Sequence, residues 1–401
     1  MTTLLPDPMT LPAKRSCPFD PPDEYAWLLA ERPISRLQLP GGQIGWLVTR
    51  YEDVRATLAD QRFSPPLVQV TPAAELPLPN EELVVPPGTF PALDPPEHSR
   101  YRRLVSPYFT RKAMRELTPR IREIVDEHLS AFIAQGDRAD LVTGFAGPMA
   151  SSVIGEMVGV PVADRPAFQR QVATLLSLSA GVDELRDARV GLYGSMAELV
   201  AAKRRRPGDD IISRLLQGET RISDTEVVNI AALLLLTGLE TTAGMVGLGA
   251  FVLLQHPGQL ADLKADETLI DGAIEELLRY LSIVQFGVTR KAKEDLEIGG
   301  QVIRAGETVI ASIAAANRDP RFLCDPDRLD IHRSGTPHIA FGHGVHQCLG
   351  AHLARTEMKV ALTALFRRLP TLRLAVPAEE IPMADDTVLY CVHSLPVVWD
   401  D

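Results

Sequence analysis

Apolar residues recur at the helical spacing of three to four positions along most of this chain. A series of amphipathic helices is predicted over residues 114–206, and another helix is predicted between Ala351 and Pro370. Alternation of apolar and polar residues, which is typical of strands, marks residues 34–49 and 286–313. The pattern therefore predicts a mainly α protein with small β-sheets.

The first β segment is predicted to be a hairpin. Residues 34–39 form its first strand and residues 44–48 its second, and the Pro-Gly-Gly sequence at residues 40–42 is typical of a turn. A helix is predicted to follow from about residue 51 to residue 60. The chain therefore begins with a small β-containing region.

A long apolar helix is predicted over residues 227–255, opened by a capping box of Ser223 and Glu226. At about 1.5 Å per residue it would span on the order of 44 Å. Glu240 at its centre would cost roughly 2.5–3.5 kcal/mol in a bilayer, so a buried core helix is the better interpretation. The polar residues 237–242 are either a kink with threonine-to-backbone hydrogen bonds or a functional group of side chains.

The composition is that of an ordinary globular protein, with 45% hydrophobic and 23% charged residues among 401. A net charge of −11 argues against non-specific binding to nucleic acid or to an anionic membrane. The four cysteines are sparse and scattered, which favours a reducing cytoplasm over a disulfide framework. The first 16 residues have no continuous apolar run, so neither a signal peptide nor an anchor is expected.

Ten of the 32 prolines lie in residues 65–96. No helix or sheet interior tolerates that density, so a long loop is predicted. The loop is either a surface linker or a lid over a pocket, because long ordered loops usually carry function.

The stretch richest in candidate chemistry runs from Phe341 to Ala351 and reads FGHGVHQCLGA. It places Cys348 on a glycine-rich loop directly before a predicted helix. Gly342 and Gly344 let the backbone turn tightly and approach a flat group closely. The N–H groups and the positive dipole end of the helix favour a thiolate over a thiol. The stretch therefore predicts a stabilised thiolate under close backbone cover.

Three other interpretations of this stretch remain open from the residues alone. Cys348 could be a small buried hydrophobic residue. It could share a zinc site with His343, His346 and His352, although one short loop can hardly close a tetrahedron. It could also be the nucleophile of a Cys–His hydrolase.

The run from Phe341 to Gly350 matches Phe-Gly-x-Gly-x-His-x-Cys-x-Gly at every fixed position and resembles the cysteine-ligand loop of the cytochrome P450 family. The resemblance implies heme b (iron protoporphyrin IX) with an axial thiolate from Cys348. It extends through nearly the whole chain. It implies the cytochrome P450 fold, a triangular helical prism around a buried haem, in a single haem domain over residues 1–401. The haem would sit between the Cys348 loop and the long central helix.

The same resemblance assigns partners to the haem propionates, which as buried carboxylates need cationic or hydrogen-bonding groups. A helix predicted to open at Asp94 carries His98 and Arg102 one turn apart, which by spacing alone is no more than a solvated pair. The family pattern implies that both reach the propionates, together with Arg290 and His346.

Glu240 and Thr241 match the acid–alcohol pair of the family, which delivers protons during oxygen activation. Thr237 stands where the family usually has Ala or Gly. This departure places a larger polar side chain close to the oxygen pocket and changes the expected pocket size there.

Glu276 and Arg279 are spaced as a helical ion pair. The resemblance implies a buried structural pair whose third partner is Arg328, followed by Leu329 where the family prefers Phe. These residues are assigned to folding and not to chemistry.

The resemblance also implies a substrate pocket with apolar walls. They would come from the proline-rich loop, residues 165–192, the central helix, the segment before Arg290 and a hairpin turn at residues 387–391. The predicted pocket residues are Leu83, Val84, Val85, Leu93, Leu236, Thr237, Val284, Phe286 and Leu389.

The expected function is a haem-thiolate monooxygenase that inserts one atom of O2 into an apolar organic substrate, by hydroxylation or epoxidation, in secondary metabolism. Electrons would come from a ferredoxin and its ferredoxin reductase. We expect a cytoplasmic monomer that binds neither nucleic acid nor membrane. The basic residues expected near the docking face are Arg103, Arg111, Lys112, Arg355 and Lys359, which scattered surface charge would explain equally well.

Two alternatives remain. A peroxide-driven peroxygenase of the same fold would not need Glu240 and Thr241. A non-catalytic haem-binding sensor would show the thiolate spectrum without turnover.

Overall fold

The computed structural model describes residues 7–39, 42–66, 84–333, 335 and 337–400. The predicted turn at Pro40 and Gly41 and much of the proline-rich loop, including Leu83, lie outside the described residues. Helices make up 54% of the structure, which confirms the predicted mainly α class with small sheets.

The helices are α1 Glu24–Glu31, α2 Tyr51–Ala59, α3 Glu97–Val105, α4 Arg111–Ile133, α5 Gly147–Val158, α6 Arg165–Leu176, α7 Val182–Arg205, α8 Ile211–Gln217, α9 Asp224–Gly238, α10 Glu240–Leu254, α11 Pro257–Ala265, α12 Ile270–Leu281, α13 Ile313–Ala316 and α14 Ala351–Arg368. The strands are β1 Ile34–Gln38, β2 Ile44–Val48, β3 Phe63–Ser64, β4 Arg138–Asp140, β5 Val288–Ala292, β6 Leu296–Ile298, β7 Gln301–Ile303, β8 Thr308–Ala311, β9 Arg373–Leu374, β10 Met383–Ala384, β11 Cys391–Val392 and β12 Pro396–Val398.

The chain divides into two compact units. The first consists of residues 1–85, 91–98 and 275–348, and the second of residues 86–90, 99–274 and 349–401. Each unit has its own sheets, described in turn below.

The first unit contains a five-stranded sheet in the order β1-β2-β8-β5-β3. Strands β2 and β8 are parallel, and the other neighbours are antiparallel. The pairing of Ile34 with Val48 confirms the predicted N-terminal hairpin. One face of the sheet packs against Val54 and Leu58 of α2, which are both buried. Apolar residues on one face of a short helix therefore close this core.

A buried ion pair joins Glu276 and Arg279 of α12 in the first unit. Arg279 donates from Nε and Nη2 to the two carboxylate oxygens of Glu276 at 2.7 and 2.8 Å, and both side chains are almost fully buried. The prediction that Arg328 is the third partner is wrong, because its side chain is 71% exposed. Arg333 takes that place instead, with Nε 3.4 Å from Glu276 Oε1.

Arg333 has this role because its side chain is only 14% exposed and its guanidinium also donates to the carbonyl oxygens of Cys324 and Asp325 at 2.9 and 3.0 Å. Arg328 contributes only its backbone carbonyl, which accepts from Arg279 at 3.3 Å. A buried carboxylate is stabilised by charge-assisted hydrogen bonds, and a solvent-exposed arginine cannot supply them.

The second unit is mainly helical. Helix α14 packs against α4 and α10, and α7 packs against α9. A three-stranded sheet runs in the order β4-β12-β9, and β10 pairs with β11 in a separate hairpin. The predicted hairpin is present, but its turn covers residues 385–390 and Cys391 belongs to β11. The predicted series of helices over residues 114–206 is confirmed as α4 to α7.

The long apolar stretch at the centre of the second unit is opened by the predicted capping box. Ser223 Oγ accepts from the Glu226 N–H, and Glu226 Oε2 accepts from the Ser223 N–H at 2.7 Å. The stretch Asp224–Leu254 is long and apolar enough to cross a membrane, yet 67% of its most apolar window is buried, as in a core helix. It differs from the single predicted helix because it breaks at Leu239 into α9 and α10.

Replacing Arg333 tests the corrected ion-pair network. We expect Arg333→Ala to lower the free energy of unfolding by about 2–3 kcal/mol, because it leaves Glu276 and two carbonyl groups short of a donor. The matched variant Arg328→Ala should stay within about 0.5 kcal/mol of the wild type. Urea-induced unfolding measures both, and equal effects of the two substitutions would contradict the assignment of Arg333 to the network.

Candidate functional site

In the first unit, the predicted thiolate loop closes on itself. The Cys348 N–H donates to the Phe341 carbonyl at 2.8 Å, and the Gln347 N–H donates to the Gly344 carbonyl at 3.1 Å. Gly342 and Gly344 have φ angles of +70° and +76°, as the predicted tight turns require. The Cys348 thiol is exposed on this loop, two residues before the N-cap of α14.

The loop also lies directly against α2. A Cβ at Gly344 would come within 2.7 Å of the Leu58 carbonyl oxygen and 2.9 Å of Ala59 Cα. Arg55 on the same helix donates from Nε to His343 Nε2 at 3.3 Å. Burial and the Arg55 charge lower the pKa of His343. The close backbone approach therefore fixes the loop from one side.

A buried amide holds the start of the loop. The Ile339 N–H donates to Asn317 Oδ1 at 2.9 Å, and Asn317 Nδ2 donates to Ser282 Oγ at 2.8 Å. The Asn317 carbonyl in turn accepts from Arg279 Nη1 at 2.9 Å. The ion-pair network described above thus supports the thiolate loop through a single asparagine.

Three of the predicted propionate partners belong to the first unit. The imidazole rings of His98 and His346 lie with their centroids 4.3 Å apart, and His98 is buried. Arg290 is buried on β5, where burial lowers its pKa to about 10 against the opposing effect of the Asp94 carboxylate. A buried guanidinium is stabilised by an anionic partner. The fourth predicted partner, Arg102, is half-buried on α3 in the second unit.

This set of donors suits a haem. A thiol on a rigid loop is a ligand for iron, and imidazole and guanidinium groups are partners for carboxylates. Among the described residues, no three His, Cys, Asp or Glu side chains come together as a metal-binding group, so the ligand set that zinc needs does not form there.

In the second unit, the break at Leu239 is where the polar residues of the central stretch lie. Thr241 Oγ1 donates to the Thr237 carbonyl at 2.8 Å, and Thr237 Oγ1 donates to the Leu233 carbonyl at 2.8 Å. These are the threonine-to-backbone bonds expected of a kink. Each hydroxyl keeps its lone pairs as acceptors, so the kink does not exclude a role in proton transfer.

Glu240 begins α10 and is half-buried. Burial raises the pKa of its carboxyl, so it keeps its proton to a higher pH than an exposed glutamate does. An acid with a raised pKa next to a hydroxyl is the type of group that can pass protons near neutral pH.

Cys391 is a neighbour of this acid that no sequence motif indicates. A Cβ at Gly244, one helical turn after Glu240, would lie 3.4 Å from Cys391 Sγ. Burial raises the pKa of the Cys391 thiol to about 12, with further contributions from the Glu240 and Asp386 carboxylates. No local pattern marks this contact, because β11 and α10 are far apart in the chain.

The predicted pocket residues differ in exposure. Phe286 is 5% exposed, whereas Val84 is 88% exposed and Thr237 is also exposed. The half-buried members of the set are Val85, Leu93, Leu236, Val284 and Leu389.

The chain is similar to known proteins over nearly its full length. The family model described as Cytochrome P450 matches residues 182–397. Pentalenic acid synthase from Streptomyces avermitilis is 44% identical over 98% of this chain and 98% of its own length. The 20-oxo-5-O-mycaminosyltylactone 23-monooxygenase from Streptomyces fradiae is 40% identical over 97% of this chain and 92% of its own length. The crystal structure of CYP105P1 in complex with filipin I superposes with a TM-score of 0.92, at 43% identity, over 98% of this chain and 99% of that chain.

Two glycine substitutions test the thiolate loop. Gly342→Ala should lower the free energy of unfolding by about 1–2 kcal/mol, because alanine is strained in the left-handed backbone conformation of this residue. The added Cβ itself meets no other atom within 4 Å. Gly344→Ala should lower the free energy of unfolding further, because the Leu58 carbonyl must also move to admit the Cβ. The purified Gly344→Ala protein should also hold less haem per chain. Urea-induced unfolding and the ratio of haem to protein absorbance measure this, and equal behaviour of the two variants would contradict the close contact with α2.

Proposed function

The chain belongs to the cytochrome P450 family and is a haem-thiolate monooxygenase, and we propose that its substrate is a medium-to-large apolar molecule of secondary metabolism. The observation that carries the site assignment is the closed loop that presents the Cys348 thiol between left-handed glycines and a helix N-terminus. The substrate class is supported by the predicted Leu, Val and Phe pocket residues and by relatives named for pentalenic acid and 20-oxo-5-O-mycaminosyltylactone. Hydroxylation and epoxidation are the reactions we expect.

Cys348 is proposed as the axial ligand, held as a thiolate by the closed loop and the N-terminus of α14. His98, Arg102, Arg290 and His346 are proposed to bind the propionates. Buried Arg290 supports this, since an anionic partner lowers the free energy of a buried guanidinium. When bound, the haem supplies the activation of oxygen.

Glu240 and Thr241 are proposed as the proton-transfer pair. The raised pKa of Glu240 keeps a proton available on its carboxyl, and the hydroxyl of Thr241, the next residue in the chain, keeps lone pairs that can accept a proton. A peroxide-driven enzyme has no need for this pair, so its presence favours the O2-dependent reaction.

Electrons are proposed to come from a ferredoxin and its reductase. Among the predicted docking residues, Arg103 and Arg111 are exposed and suit an acidic carrier. Lys359 Nζ lies 2.7 Å from Asp271 Oδ1, and Lys112 Nζ lies 3.9 Å from Glu116 Oε1. Because each of these lysines has a carboxylate beside it, they contribute less to the attraction of an acidic carrier. We propose that the chain acts as one haem domain over residues 1–401, as a cytoplasmic monomer.

Cys348→Ala should abolish the red-shifted absorption of the reduced, CO-bound protein. Cys324→Ala is the matched control, because Cys324 is also an exposed cysteine and should leave the spectrum unchanged. A wild-type sample without that absorption, or a Cys348→Ala sample that keeps it, would exclude thiolate ligation by this residue.

Glu240→Gln should lower product formation supported by ferredoxin and reductant on the order of 10²-fold, as expected for loss of a general acid. The raised pKa of Glu240 means that its acid form is lost as pH rises through that value. Wild-type turnover should therefore fall on the alkaline side, and the variant should lack this limb. Thr237→Val is the control, because it removes the hydrogen bond from Thr237 Oγ1 to the Leu233 carbonyl at the kink and leaves the Glu240 carboxyl in place.

Turnover with peroxide alone provides the comparison. Wild-type protein that forms product only with peroxide would be a peroxygenase, and protein with the thiolate spectrum but no product under either condition would be a sensor.

A further inference from the structure

One carboxylate of the second unit joins the start of α9 to α3. Glu226 Oε1 accepts from Arg100 Nη1 at 2.5 Å and from the Tyr101 hydroxyl at 2.7 Å. Arg100 Nη2 also donates to the carbonyl of Arg221, shortly before α9, at 3.1 Å. The side chains of Glu226 and Arg100 are 12% and 39% exposed, so solvent screens this ion pair less than a fully exposed one.

The two oxygens of this carboxylate have different partners. Oε2 accepts from the N–H and the hydroxyl of Ser223 at 2.7 and 2.8 Å, which completes the capping box of α9. A capping box needs only an acceptor, and a neutral glutamine supplies one as well. The negative charge of Glu226 is therefore not required by the capping box, and its direct partner is the Arg100 guanidinium.

Glu226 is charged at neutral pH. Burial raises its pKa, but hydrogen bonds from Arg100 and from the Ser223 backbone outweigh this effect and lower the pKa to about 2. Charge-assisted hydrogen bonds are shorter and stronger than neutral ones. The contact with α3 is therefore a charged one under all ordinary conditions.

Helix α3 is short and strongly basic. Its sequence, EHSRYRRLV, contains three arginines within four residues and only three apolar side chains. Arg100 and Arg103 are i, i+3 neighbours, and like charges at this spacing destabilise a helix. The Glu226 carboxylate offsets one of these charges and adds a directional contact to the packing of the buried Tyr101 and Val105.

Arg102, a proposed propionate partner, lies two residues after Arg100 on the same helix. Because successive residues of an α-helix are about 100° apart, Arg100 and Arg102 project from different sides of α3, about 200° apart. The Arg102 carbonyl accepts from Ser106 Oγ at 2.7 Å, so the turn that carries Arg102 is closed. A rotation or shift of α3 that breaks the Glu226 contact therefore moves the Arg102 guanidinium as well.

We propose that Glu226 is a positioning residue whose charge holds α3 through Arg100 and so places Arg102 where it neutralises a haem propionate. The inference rests on the proposed function, in which Arg102 binds a propionate. Loss of the charge lets α3 shift, and the propionate then keeps more of its negative charge unpaired. Such a haem is bound less tightly, and its reduction potential falls, because nearby negative charge favours the oxidised iron.

Glu226→Gln tests this, because it removes the charge and keeps an acceptor for the capping box. Transfer of haem from the holoprotein to apomyoglobin, followed by absorbance, should be roughly 3- to 10-fold faster than in the wild type. The reduction potential, measured by anaerobic titration, should shift downward. Ser223→Ala is the matched control, because it removes the capping hydroxyl and leaves the bonds from Arg100 and Tyr101 to Oε1 in place. It should lower the stability to urea, keep haem transfer within about twofold of the wild type and leave the potential unchanged.

Arg100→Ala removes the other half of the ion pair and leaves the capping box intact. A direct effect of the lost charges on the iron would have opposite signs in the two variants, since one loses a negative and the other a positive charge. Displacement of Arg102 predicts instead that the potential falls and haem transfer quickens in both. The double variant should show little further change, because the two residues act through one contact.

Opposite shifts of the potential in Glu226→Gln and Arg100→Ala would overturn the proposal. Equal changes in Glu226→Gln and Ser223→Ala, or unchanged transfer and potential in haem-loaded Glu226→Gln, would also overturn it. Each of these results leaves the monooxygenase assignment standing. Wild-type protein that binds no haem would overturn the proposed function and this inference with it.

Discussion

The close contact between the Cys348 loop and α2 is the constraint on which the site depends. At Gly344 the backbone runs so near to the Leu58 carbonyl that a methyl group would clash, and its φ of +76° is one that side-chain-bearing residues rarely adopt. A sulfur ligand needs a loop that does not move, because its position sets the position of whatever it holds. Here the rigidity comes from backbone contact and not from a disulfide.

The same rigidity reaches into the core through Asn317. Its side chain accepts from Ile339 at the start of the loop, and its carbonyl accepts from Arg279 of the buried ion pair. Ion pairs of this kind seldom add net stability, because desolvation offsets the attraction. In this unit the pair acts as an orienting group: it positions an amide, and the amide positions the loop. This explains how residues with no part in the chemistry can affect the site.

Local signals predicted much of the fold. The hairpin of β1 and β2, the capping box at Ser223 and the glycine-rich turns around Gly342 each depend on residues that are neighbours in the chain, and all were confirmed. The exchange of Arg333 for Arg328 was missed because both arginines lie in an irregular segment, where no periodicity shows which one faces inward. The sequence offered a kink within residues 237–242 as one of two interpretations but did not place it at Leu239, and the Cys391 contact with Gly244 joins residues more than a hundred positions apart. Tertiary packing decides such features.

The position of Cys391 also has a consequence for the chemistry of sulfur in this protein. With a pKa of about 12, its side chain remains a neutral thiol at physiological pH, and thiolates, not thiols, are the species that peroxide and alkylating reagents attack. Cys391 lies beside α10, the helix that carries the proposed proton-transfer pair. Desolvation by its surroundings, reinforced by the Glu240 and Asp386 carboxylates, therefore keeps Cys391 in the less reactive thiol form.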